Sequence, residues 1–175
     1  MSEPNPFLIT DVQGYTSQIG RLICMMNYAR HTTLETVSGL STQELDHFHD
    51  SKSNSIGALL LHVAAVEFAY QRQTFDGRDL NAAEQNLWGA ALDLGARGRA
   101  EIRGNSLSWY LDKLADVRKR TLAGFKSRDD EWLNTQEPFA NGKPANYYFM
   151  WFHVFEDEIN HRGQIRFLRK RLPLK

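Results

Sequence analysis

No stretch of this chain alternates apolar and polar residues for long enough to build a sheet. Apolar residues instead recur at spacings of three and four, the signature of helices with one buried face. The first such segment runs from about Val12 to Val37, where Leu22, Met25, Met26, Ala29 and Thr33 form the stripe, and Gly39 stops it. "STQE" (Ser41 to Glu44) is a capping box that opens a short helical turn. A second segment starts near Ser53 or Asn54 and continues to about Thr74, where Asp76-Gly77 marks a turn. A third spans about Leu107 to Phe125. The fourth begins at Pro144 or Asn146 and ends near Leu172, before Pro173. Residues 80–105 hold four glycines, and their alanines favour only a short helix around 82–92. Asn141-Gly142 is a tight-turn signal with room for a small hairpin. The expected fold is all-α: a four-helix bundle with a long loop region between the second and third helices, in a single domain over residues 1–175.

Charge narrows the function classes. Lys+Arg and Asp+Glu number 21 each. Such a neutral chain lacks the basic surface of a general nucleic-acid binder. The one basic cluster, Arg166, Arg169, Lys170 and Arg171, falls at a helix C-terminus, where cations complement the dipole. The apolar runs are too short to span a membrane, and His62 and Glu67 interrupt the longest. The N-terminus has no basic n-region and no apolar h-region, so it does not read as a signal peptide. A single cysteine, Cys24, excludes an intrachain disulfide and fits a cytoplasmic location. Cys24 itself reads as a small buried hydrophobe.

The polar residues inside apolar helices carry the chemistry. His153, Asp157 and His161 follow one another at intervals of four in the last helix, with Gln164 three further on. Side chains four apart share a face, so Asp157 and His161 can both reach one metal ion. His62, in the middle of the most apolar helix, is the natural third ligand, because a buried imidazole needs a hydrogen bond or a metal. The set is two histidines and one carboxylate, an arrangement that leaves coordination positions open. The same residues also fit a plainer reading, a satisfied core histidine and an intrahelical Asp–His pair. Glu67, five residues past His62, is turned off that face and reads as a structural hydrogen-bonding group. Glu158 and Asn160 leave the stripe in opposite directions. Arg162 reads as a surface or interface residue.

Three stretches carry a family resemblance: "MNYARHTTLETVSGLSTQELD" (Met26 to Asp46), "SNSIGALLLHVAAVEFAYQR" (Ser53 to Arg72) and "WFHVFEDEINHRGQIRFLRK" (Trp151 to Lys170). Together they resemble the DinB/YfiT-like superfamily of metalloenzymes, over most of the chain and most weakly across 80–105. The resemblance implies a four-helix bundle, often a homodimer, with a divalent metal (Zn, Ni, Mn or Fe) held by three histidines. Those positions fall on His62, Asp157 and His161, so this chain has a carboxylate where the family usually has the first histidine of the pair. The resemblance further implies a metal-dependent enzyme, such as a hydrolase or a thiol S-transferase acting on a low-molecular-weight thiol. The alternative is a non-catalytic stress-response binding module that has lost its metal. The chain's four tryptophans add to the expectation of a homodimer.

Overall fold

The computed structural model describes residues 5–173; residues 1–4 and 174–175, part of the expected 1–175 domain, lie outside the described residues. Four long helices dominate: α1 (Ser17–Val37), α3 (Ile56–Asp76), α6 (Leu107–Phe125) and α7 (Tyr147–Arg169). A short α2 (Thr42–Leu45) follows the expected capping box, in which Ser41 and Glu44 bind each other's backbone N–H. The 80–105 stretch is more ordered than a loop. It forms α4 (Ala82–Asp93), opened by an Asn81/Glu84 capping box, and α5 (Gly95–Glu101). Leu94 at φ 52° and Gly95 at φ 55° break the two apart, so the glycines divide the helix here without abolishing it. The hairpin is real but small: β1 (Gln136–Pro138) pairs antiparallel with β2 (Pro144–Asn146). Asn141 and Gly142, both at positive φ, turn the chain at its tip.

Partner residues fix how the helices run. Arg30 meets Glu158, and Thr36 meets Arg166, so α1 and α7 are parallel. A Cβ on Gly57 would strike the Tyr110 ring and one on Gly124 the Phe75 ring, so α3 and α6 are parallel too. His62 meets Asp157, and Thr74 accepts from the Trp151 indole, so α3 and α7 are antiparallel. The α1–α6 side is packed most lightly and leaves a groove of about 790 Å³ between those helices. Parallel packing of α1 and α7 puts their C-termini side by side. The Arg169 guanidinium therefore donates to the carbonyls of Thr36 and Ser38, and the basic cluster caps α1 as well as its own helix.

The core divides in two. One half gathers Leu59, Leu60, Val63 and Phe68 of α3 with Trp88, Leu114 and Ile165. The other gathers Ile19, Leu22 and Met26 of α1 with Phe125, Leu133, Trp151 and Phe155. Trp88 and Trp151 are buried within the chain, and Trp109 and Trp132 are half-buried against it, so the tryptophans serve the chain's own packing. Cys24 is half-buried, not buried as expected, with its thiol near the Thr10 carbonyl. Among the described residues, no helix is long and apolar enough to cross a membrane.

Candidate metal centre

His62 reaches its position because α3 is apolar on nearly every face. Ser55 caps the helix, and Ile56 to Leu61 are all buried. This leaves the imidazole at the seam where α3, α4 and α7 meet. Its Nδ1 lies 2.8 Å from the Ala91 carbonyl. Nδ1 must therefore carry the proton, and the Nε2 lone pair points elsewhere. Nε2 lies 3.5 Å from Asp157 Oδ2, and His161 Nε2 lies 3.3 Å from Asp157 Oδ1. The two imidazole rings are 4.6 Å apart, nearly perpendicular. One ligand atom from each of His62, Asp157 and His161 falls within 4.8 Å of the others, and all three side chains are half-buried. The structure thus brings together Asp157 and His161, which spacing singled out, and His62, which stood out in an apolar helix.

The contacts inside this cluster do not complete it. Separations of 3.3 and 3.5 Å exceed the roughly 2.7–3.2 Å of ordinary N–H···O bonds. Asp157 Oδ2 and His161 Nδ1 are buried with no hydrogen-bond partner. Burial pushes the Asp157 carboxyl up, but the two imidazoles outweigh it and hold the group well below the usual carboxylate range. Asp157 is therefore ionised at neutral pH. An anionic oxygen, a lone pair on His62 Nε2 and unmatched buried polar atoms suit a divalent cation.

His153, the first member of the stripe, does not join. Its Nδ1 lies 2.8 Å from Glu156 Oε2, and its ring stacks on Phe149. Tyr70 does approach the centre, and spacing alone did not single it out. It lies two turns past His62 on α3, and its ring meets His153 edge-on. Its hydroxyl makes no hydrogen bond among the described residues. Burial and then the Asp157 charge push the phenol up to about 12, so it stays protonated. The available signal was its position eight residues after His62, on nearly the same face.

Directly behind the centre lies a buried ionic layer. Arg30 Nε donates to Glu158 Oε1 at 2.9 Å, and its Nη2 to Glu67 Oε2 at 3.0 Å. Arg118 Nε donates to Glu67 Oε1 at 2.8 Å. Thr121 adds a hydrogen bond to Glu67 at 2.7 Å. Two arginines and two glutamates balance in charge. Glu67 is the structural group its position implied, and Glu158 belongs to the same layer, whereas Asn160 is exposed. Arg162 is half-buried and donates to the Thr32 hydroxyl. The α1–α6 groove lies beyond this layer, on the far side of the bundle from the His–Asp–His cluster.

Known proteins agree with this architecture. A conserved protein from Enterococcus faecalis superposes with a TM-score of 0.68, covering 85% of this chain and 92% of that one. At 16% identity that likeness speaks to the fold alone. No curated protein matches the chain. The mycothiol-S-transferase family matches residues 21–173, a span that holds all four long helices except the first turn of α1, and all three residues of the cluster. The chain belongs to the mycothiol-S-transferase family, within the DinB/YfiT-like superfamily.

Proposed function

We propose that this protein is a divalent-metal-dependent thiol S-transferase. His62, Asp157 and His161 hold the ion, and the substrate is a low-molecular-weight thiol of the mycothiol class. The observation that carries this reading is the convergence of three ligand-type side chains from α3 and α7 within 4.8 Å, in a chain of this family. A divalent ion with an open position supplies one thing here: it favours the thiolate form of a thiol brought beside it.

The chain's own groups do the rest. The Ala91 carbonyl holds the His62 tautomer and ring orientation. Asp157 contributes a negative charge and a hard oxygen donor, which favours Mn(II) or Fe(II) more than an all-histidine set would. Tyr70 offers a protonated phenol as hydrogen-bond donor at the edge of the site. In the transfer itself the thiol loses its proton to solvent, and sulfur bonds an electrophilic carbon. The leaving group departs with its electron pair.

Protein purified without a tag or added metal should contain about one divalent ion per chain by elemental analysis. It should also conjugate mycothiol to an alkylating bimane, lose that activity in chelator and regain it on adding metal. Metal-free protein that forms conjugate equally fast would refute the reading. The competing reading, a non-catalytic module with a relic site, needs Asp157 and the two histidines to satisfy one another. Their long separations and unmatched atoms count against it.

The same proposal takes the chain as one domain acting as a cytoplasmic homodimer. The superfamily resemblance supports the dimer, as do the exposed Phe149 and Phe152 on α7. Sedimentation at micromolar concentration should show a dimer, and a monomer alone would remove this part.

A further inference from the structure

A cleft of about 740 Å³ opens between the 49–54 segment and the C-terminal half of α7. Its α7 wall includes Asn160, Gly163 and Gln164. Gln164 is three residues past His161 and seven past Asp157, so the cleft starts on the same helix face, about one turn (roughly 5 Å) along the axis from the candidate centre.

Gly163 is the informative residue. It sits inside a helix with ordinary backbone angles, and a Cβ built there would meet nothing within 4 Å. Neither a turn nor a neighbouring helix requires glycine, although glycine costs a helix interior about 1 kcal/mol relative to alanine. Its missing side chain leaves the cleft floor open down to the backbone.

The lining defines the ligand's chemistry. Asn160 and Gln164 present carboxamides, each with donors and acceptors, while the Asn54 carboxamide oxygen already accepts from the Gly95 N–H. Phe167, exposed at 47%, gives the cleft an apolar rim, with Arg171 over one face of its ring and His49 edge-on to it. Arg166 and Arg169 are turned away, bound to Thr36 and Ser38 at the end of α1, and Arg171 is held on the Phe167 ring and carbonyl. Of the charged pair at the rim, Asp50 already accepts from the Lys52 and Ser53 N–H groups. Paired donors and acceptors beside an aromatic ring, with Lys52 offset by Asp50 in the lining and each neighbouring arginine already partnered, suit a neutral, hydroxyl-rich body better than a phosphate or a carboxylate.

We infer that this cleft seats the hydroxyl-rich, non-thiol part of the substrate. Asn160 and Gln164 are its hydrogen-bonding contacts, and Gly163 is the residue that leaves it room. The inference rests on the proposed role of the His62–Asp157–His161 cluster as the place where the thiol reacts.

The test uses S-methyl mycothiol, which cannot form a thiolate, and N-acetylcysteine, which lacks the hydroxyl-rich part. Binding is read by calorimetry on the full chain. Wild type should bind S-methyl mycothiol. Gly163→Leu, and separately Asn160→Leu with Gln164→Leu, should weaken that binding about ten-fold or more, the scale of one or two lost hydrogen bonds. Gly163→Leu should melt no lower than wild type, since leucine favours the helix. N-acetylcysteine binding should be the same in wild type and variants. Asp157→Ala should leave S-methyl mycothiol binding within about three-fold, so a failed metal reading and a failed cleft reading give different results. Undiminished binding in the cleft variants, an equal loss for N-acetylcysteine, or no binding to wild type would each overturn the inference.

Discussion

Glu67→Gln should remove about 3–4 kcal/mol of stability at neutral pH. Glu67 has no exposed surface and accepts hydrogen bonds from Arg118, Arg30 and Thr121 at 2.7–3.2 Å. Burial alone pushes its carboxyl up, but Arg118 and Arg30 overcome this and bring it down to about 2, against an ordinary 4.5. A carboxyl that titrates near 2 when folded and near 4.5 when unfolded contributes about 3–4 kcal/mol, since each pH unit is worth about 1.4. Independently, removing one partner from a buried ion pair costs roughly 3–5 kcal/mol. Arg118 is left worst placed, keeping only Asn27 and a long 3.8 Å approach to Glu158. The sign of the pH dependence follows from the lowered value. The contribution is complete above about pH 4.5 and drains away as pH falls toward 2. Urea unfolding followed by circular dichroism should show a midpoint about 1.5–2 M lower for Glu67→Gln at pH 7, for a slope of about 2 kcal/mol/M. The gap should narrow as the pH is lowered from 4.5. A loss below about 1 kcal/mol at pH 7, or a gap that widens in acid, would refute this reasoning.

Other changes probe the packing and the site. Gly57→Ala should cost about 1–3 kcal/mol in thermal unfolding, because the added Cβ would lie 2.6 Å from the Tyr110 hydroxyl, across the parallel α3–α6 contact. Arg169→Ala should lower stability by about 1 kcal/mol in the same assay, through loss of its bonds to the end of α1. Tyr70→Phe should lower the thiol-transfer rate about five- to ten-fold, the scale of one hydrogen bond, while metal affinity stays within about two-fold; an unchanged rate removes Tyr70 from the site. Asp157→His should restore the superfamily's usual three imidazoles and tighten Zn(II) or Ni(II) relative to Mn(II), measured by competition titration.

The long helices were legible because their apolar stripes repeat locally. Their ends were less so: α1 begins at Ser17, not Val12, because residues 12–15 make a turn and Gly14 takes φ 85°. Asp157 and His161 were legible because both side chains ride one helix at a fixed spacing. His62 stood out by polarity alone, in a helix with little else polar. His153 shared the spacing but not the fate, because Glu156 on its own helix satisfies it. The ionic layer was illegible for the opposite reason. Arg30 and Glu158 are 128 residues apart, and nothing local marks either as buried. A lone arginine in an amphipathic helix reads as solvent-facing until its distant partner is placed. The α4–α5 break likewise depends on Leu94 adopting a positive φ that its residue type disfavours.

The central claim is that His62, Asp157 and His161 form one metal-binding unit. Calorimetric titration of chelator-stripped, untagged protein with Mn(II) and Zn(II) tests it most directly, with Asp157→Ala run beside wild type. The account expects saturable binding of about one ion per chain to wild type, and affinity at least about ten-fold weaker in Asp157→Ala, where two histidines on separate helices make an incomplete site. Wild type that takes up neither ion, or Asp157→Ala that binds as tightly as wild type, would contradict it.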